Sequence, residues 1–125
     1  MARVLLIDDD ASVRRFVGAV LKRAGHDVTE AANGIKGLRA LADVAVDLVI
    51  TDLIMPEKEG LETIHELRQA GNRVRILAIS GGFPGNPLNI LDMAKRFGAD
   101  DALGKPFTPD ELIAAVDRLL GSPPA

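Results

Sequence analysis

Asp47-Leu48-Val49-Ile50-Thr51-Asp52-Leu53-Ile54-Met55-Pro56 is an apolar run that ends in a carboxylate and is then broken by proline. It is too short for a typical helix and rich in Leu, Val and Ile, so it reads as a buried strand whose last side chain is Asp52. A carboxylate in that place needs a partner or a task, because an unpaired charge taken out of water is costly.

The same arrangement recurs along the chain. Val4-Leu5-Leu6-Ile7 runs into Asp8 and Asp9, Arg75-Ile76-Leu77-Ala78-Ile79 into Ser80, and Asp101-Ala102-Leu103-Gly104 into Lys105 and Pro106. As parallel strands joined by helices, these segments deliver Asp8, Asp9, Asp52, Ser80 and Lys105 to the carboxyl edge of one sheet. That edge is where open α/β sheets bind ligands.

The segments between the strands carry helical periodicity. Val13, Phe16, Val17, Val20 and Leu21 make an apolar stripe, with Arg14, Arg15, Lys22 and Arg23 on the opposite side, and Gly25 ends the helix. His26 to Ala31 reads as an edge strand, and Asn33-Gly34 opens a second helix through about Ala42 with Ile35, Leu38 and Leu41 turned inward. A third helix carries Leu61, Ile64 and Leu67 to Gly71, and a fourth carries Ile90, Leu91, Ala94 and Phe97 to Gly98. Between them, Gly81-Gly82-Phe83-Pro84-Gly85-Asn86-Pro87 is too rich in Gly and Pro to be regular structure. Thr108-Pro109-Asp110-Glu111 has the pattern of a capping box with proline at the first helical position, and Leu112, Val116 and Leu119 carry the last helix. Asp10 suits a helix cap, and Phe16, Phe97 and Phe107 are expected in the core.

Five strands alternating with five helices give an α/β fold around one parallel sheet. At 125 residues the chain fits one domain, 1–121, with a short tail at 122–125. A formal charge of −3 argues against a nucleic-acid binder. No run of about 18 apolar residues and no leader pattern occurs, so a cytoplasmic protein without a membrane span is expected. Without cysteine there is no disulfide, thiol nucleophile or thiolate metal site.

Adjacent carboxylates joined by a third repel one another unless positive charge sits among them. Lys105 supplies one charge; Mg²⁺ would supply two. Mg²⁺ takes oxygen ligands at about 2.1 Å and is commonly held by one or two carboxylates plus phosphate. A metal, an ammonium and a hydroxyl together form a set suited to a transferring phosphoryl group, with one acid as nucleophile.

Ile7-Asp8-Asp9, Thr51-Asp52-Leu53-Ile54-Met55-Pro56 followed by Gly60, Ile79-Ser80-Gly81 and Gly104-Lys105-Pro106-Phe107 resemble the receiver domain of bacterial two-component response regulators. The resemblance covers nearly the whole chain and implies a flavodoxin-like five-stranded sheet of order 2-1-3-4-5 flanked by five helices. It implies that Asp52 accepts a phosphoryl group from a histidine kinase or histidine phosphotransfer protein. Mg²⁺ would be held by Asp8, Asp9, Asp52 and the backbone carbonyl of Ile54. Lys105 would pair with the phosphoryl oxygens, and the Ser80 hydroxyl would move to bind another. That movement would shift the surface of the fourth helix, fifth strand and fifth helix, from about Asn89 to Leu120, to bind a downstream protein target. No output domain follows the last helix, so a stand-alone receiver is expected, as a monomer or weak dimer. The resemblance implies a signalling protein and not an enzyme, apart from promoting its own phosphorylation and dephosphorylation.

Two departures stand out. Ala102 occupies the fifth-strand position where the family often has an aromatic residue, leaving Phe83 and Phe107 as aromatic candidates, and the loop after Ser80 is long and glycine-rich. A competing reading is a small phosphatase resembling haloacid dehalogenases, with Asp8 as nucleophile and Asp10 as acid/base. It leaves Asp52 with little to do.

Overall fold

The fold is described from a computed structural model, and the residues it describes are 2–53, 60–80, 92 and 94–121. Ile54, Phe83 and the glycine-rich loop lie outside the described residues, as does the tail at 122–125. In chain order the elements are β1 (Arg3–Ile7), α1 (Ala11–Arg23), β2 (Asp27–Ala31), α2 (Gly34–Asp43), β3 (Leu48–Asp52), α3 (Gly60–Gln69) and β4 (Arg75–Ser80). A helix α4 follows, described at 92 and 94–97, then β5 (Asp101–Gly104) and α5 (Pro109–Gly121).

Local chemistry sets the helix ends. Asp10 caps α1, its carboxylate accepting from the backbone N–H of Ser12 at 2.8 Å, while Lys22 and Arg23 occupy the last turn, where the helix dipole favours cations. Gly25 adopts φ +94°, a left-handed conformation that favours glycine and turns the chain into β2. Asn33 caps α2 by accepting from Lys36 N–H at 2.9 Å. The Thr108–Glu111 pair forms both arms of the capping box at 3.1 Å.

All four strand pairings are parallel, in the order β2-β1-β3-β4-β5 expected from the family resemblance. Side chains alternate between the two faces. Val4, Leu6, Leu48, Ile50, Leu77 and Ile79 pack with Val17 and Leu21 of α1 and Leu112, Val116 and Leu119 of α5. Leu5, Ile7, Val49, Ile76 and Ala78 form the other core with Ile64 and Leu67 of α3 and Ala94 of α4.

Three residues expected inside are not. Phe16 is 41% exposed, Phe97 39% and Ile35 42%. Their spacing points them towards the sheet, yet each keeps about two-fifths of its surface open. Phe16 instead lies 6.1 Å from the ring of half-buried Phe107, and Phe97 meets His65 edge-on at 5.9 Å.

Candidate functional site

The register brings the acids level. Ile7 is paired with Thr51, so Asp8 and Asp52 stand at the same height on neighbouring strands. Continued one step past β1 and β5, the alternation of the sheet places Asp8, Asp52 and Lys105 on the α1/α5 side, while Ser80 takes the opposite parity. The contacts agree. Carboxylate oxygens of Asp8, Asp9 and Asp52 all lie within 4.8 Å of one another, and Lys105 Nζ stands 3.2 Å from Asp8 Oδ2 and 3.5 Å from Asp52 Oδ2.

Each of the two inner acids is held by backbone as well as by charge. Asp8 is fully buried, its Oδ1 accepting from Asp10 N–H at 2.9 Å and its own N–H donating to Ala31 O at 3.1 Å. Asp52 Oδ1 accepts from Leu53 N–H at 2.8 Å, and the buried Thr51 hydroxyl donates to the Asp52 carbonyl at 2.9 Å. Gly60 opens α3 so close to this carbonyl that a Cβ on it would lie 1.8 Å from the oxygen. Ser80 is buried at the end of β4, and its carbonyl accepts from the Lys105 N–H at 2.7 Å, tying the lysine's backbone to the same edge. Asp9 is exposed at the mouth.

Burial pushes the Asp8 carboxyl above its ordinary value of 3.8, against the pull of the Asp10 N–H and of Lys105. Burial does the same to Asp52, and the negative charge of Asp8 adds to the rise, while Lys105 opposes it. One ammonium stands among three carboxylates, so it balances only part of the charge they carry when ionised. Three clustered carboxylates, two of them in contact with one lysine, fit a hard divalent cation, which prefers oxygen donors and would supply the missing positive charge.

Asp10 is committed to the first turn of α1. Its carboxylate is occupied as the cap of α1 and so does not serve as an acid/base next to Asp8, which removes the main support of the phosphatase alternative.

The comparisons with known proteins come down on the same side. The family model for the response regulator receiver domain matches residues 4–117. The chain belongs to that family. Among similar curated proteins, this receiver domain is 36% identical over 126 residues to the DNA-binding transcriptional regulator NtrC of Azospirillum brasilense, covering 99% of this chain and 26% of that protein. It is 36% identical over 121 residues to the transcriptional regulatory protein CpxR homolog of Haemophilus influenzae, covering 96% of this chain and 51% of that protein. The chain thus spans about a quarter to a half of the length of these relatives. Among solved structures, the receiver domain of NtrX from Brucella abortus superposes with a TM-score of 0.89 at 29% identity, covering 96% of this chain and 99% of that one. The chemotaxis protein CheY4 of Vibrio cholerae gives 0.84 at 31% identity, covering 95% of this chain and 98% of that one.

Receiver domains are signalling modules phosphorylated by histidine kinases, and the acidic pocket with Lys105 packed against it is consistent with aspartyl phosphorylation. Among the described residues, no helix is long and apolar enough to cross a membrane.

One cation of the site was not legible in the sequence. Arg14, whose place in the helical repeat reads as a solvated face, turns back to hydrogen-bond the main-chain oxygen of Asp8. Nothing in the spacing of α1 announces this, because the acceptor is a backbone atom.

Proposed function

We propose that the chain takes a phosphoryl group onto Asp52 from a histidine kinase or histidine phosphotransfer protein, with Mg²⁺ held by Asp8, Asp9, Asp52 and the backbone carbonyl of Ile54. The observation that carries this reading is the contact of one ammonium with two buried carboxylates, Lys105 with Asp8 and Asp52, at the end of a parallel sheet. Bound Mg²⁺ would act as a Lewis acid towards the phosphoryl oxygens.

An Asp52 oxygen forms the new bond to phosphorus as the bond from phosphorus to the donor's imidazole nitrogen breaks, its electron pair leaving with the imidazole. Lys105 faces the charge on the phosphoryl oxygens, where a preplaced cation in a partly dry site acts more strongly than in water. The Ser80 hydroxyl donates to a further oxygen. The phosphoryl group favours whichever arrangement of the α4–β5–α5 surface binds it better, and that arrangement recruits a downstream protein.

Incubation with acetyl phosphate and Mg²⁺, read by intact mass, tests the reading. Wild type gains one phosphoryl group only with the metal, and Asp52→Ala gains none. Equal labelling of Asp52→Ala contradicts it.

A further inference from the structure

Arg14 differs from the other cations of α1. Arg15, Lys22 and Arg23 are exposed, whereas the Arg14 side chain is only 21% exposed and its guanidinium is spent on two anchors. One is the main-chain oxygen of Asp8; the other is Glu30 on β2, whose Oε1 lies 3.4 Å from Arg14 Nε.

The first anchor is the informative one. The Asp8 side chain is already fixed by Asp10 N–H and Lys105, and its N–H is fixed by Ala31 O. The carbonyl that Arg14 holds belongs to the Asp8–Asp9 peptide, whose plane sets where Asp9 leaves the sheet. Asp9 lies beyond the last residue of β1 and before α1, so no strand ladder positions it. Yet its carboxylate must meet those of Asp8 and Asp52. A charge-assisted hydrogen bond from a planar guanidinium is a strong and directional way to fix that peptide.

We propose that Arg14, held in place by Glu30, is a positioning residue: it fixes the Asp8–Asp9 peptide and so aims the Asp9 carboxylate into the metal site. This rests on the reading of the acidic pocket as a Mg²⁺ site. Glu30 has a second task here. A bare guanidinium beside a cation site repels the cation, and the Glu30 carboxylate cancels that charge, so the pair acts through geometry without net charge.

Geometry and charge predict opposite signs. If Arg14 acted only as a nearby positive charge, Arg14→Gln would tighten Mg²⁺ binding, and the neutral double variant Arg14→Gln/Glu30→Gln would leave it unchanged. As a positioning residue, both weaken it by roughly tenfold or more, the size seen when a group orienting a metal ligand is removed. Arg14→Lys, which keeps the charge but not the two-ended fork, recovers only part. Arg15→Gln, which removes the same charge from an exposed position, stays close to wild type.

The test is an Mg²⁺ titration of the ¹⁵N-labelled full chain, following the Asp9 and Asp10 amide signals, with thermal unfolding run on each variant. The expected result is weaker Mg²⁺ binding in both Gln variants, with metal-free Asp9 and Asp10 signals displaced and the signals of α5 unmoved. Tighter or unchanged binding in those variants beside a wild type that binds Mg²⁺ overturns the assignment of Arg14 alone. A wild type whose Asp9 and Asp10 signals ignore Mg²⁺ overturns the metal reading and the assignment together.

Discussion

Gly60 has no room for a side chain because of Asp52: a Cβ there would lie 1.8 Å from the Asp52 carbonyl oxygen and 2.8 Å from its carbonyl carbon. Both obstacles are backbone, so neither can swing aside. Gly60→Ala must therefore push the start of α3 away from the end of β3, at a cost of about 1–3 kcal/mol. Urea unfolding measures the loss. The same displacement moves Asp52, the proposed acceptor, so slower labelling by acetyl phosphate is expected even where the variant is fully folded.

Removing the ammonium exposes the repulsion it offsets. Lys105→Met leaves Asp8 and Asp52 facing each other without a cation, which is expected to cost about 1–3 kcal/mol at neutral pH, below the fully buried case because the lysine side chain is 22% exposed. Phosphorylation should fall by roughly 10²-fold, as when a preplaced group facing the reacting oxygens is lost. Thermal unfolding and the rate of acetyl phosphate labelling report the two effects separately.

The acid pair also sets a pH signature. Both Asp8 and Asp52 are raised above 3.8 in the folded state, so the folded chain holds protons that the unfolded chain has released. Their contribution to stability is fully present below pH 3.8 and is lost as pH rises through the raised values. Relative to the double variant Asp8→Asn/Asp52→Asn, metal-free wild type should lose stability from mildly acid to neutral pH. Mg²⁺, held as proposed by both carboxylates in their ionised form, should invert the trend: its affinity should fall on acidification, with proton release on binding. Denaturation curves for the two proteins across pH, with and without Mg²⁺, check both signs.

Away from the site, Arg68 of α3 ties the connection before β4 to the connection before β5. Its Nε donates to Gly98 O at 2.9 Å, its guanidinium reaches Asn72 O and Val74 O at 2.8 Å, and it pairs with Asp100 at 3.0 Å. Arg68→Met should cost about 2–3 kcal/mol, because several partly buried acceptors lose their donor at once. Hydrogen exchange should then speed up at Gly98 and Asp100 more than in β1.

These examples show what the sequence carries and what it does not. The strand ends at Asp8 and Asp52 were legible because a buried apolar run stopping at a carboxylate is a local pattern, and the half-buried β5 leading into Lys105 was legible by its place in the same recurrence. The strand order came with the family motifs, since periodicity alone leaves it open. The capping roles of Asp10, Asn33 and Thr108 were legible for the same local reason. Arg14 and Arg68 were not, since long side chains can lie along the protein surface and end on backbone oxygens far away in sequence, as Arg68 does on Gly98. Phe16, Phe97 and Ile35 were misplaced because helical spacing gives the direction of a side chain, while its burial depends on how far the neighbouring elements extend.

The identity of the acceptor is the central claim, and trapping tests it most directly. Borohydride reduces an aspartyl phosphate to homoserine, which marks the residue permanently for peptide mass spectrometry. After acetyl phosphate and Mg²⁺, homoserine is predicted at position 52, and only when the metal is present. Homoserine at position 8, or at position 52 without any need for Mg²⁺, would contradict the account.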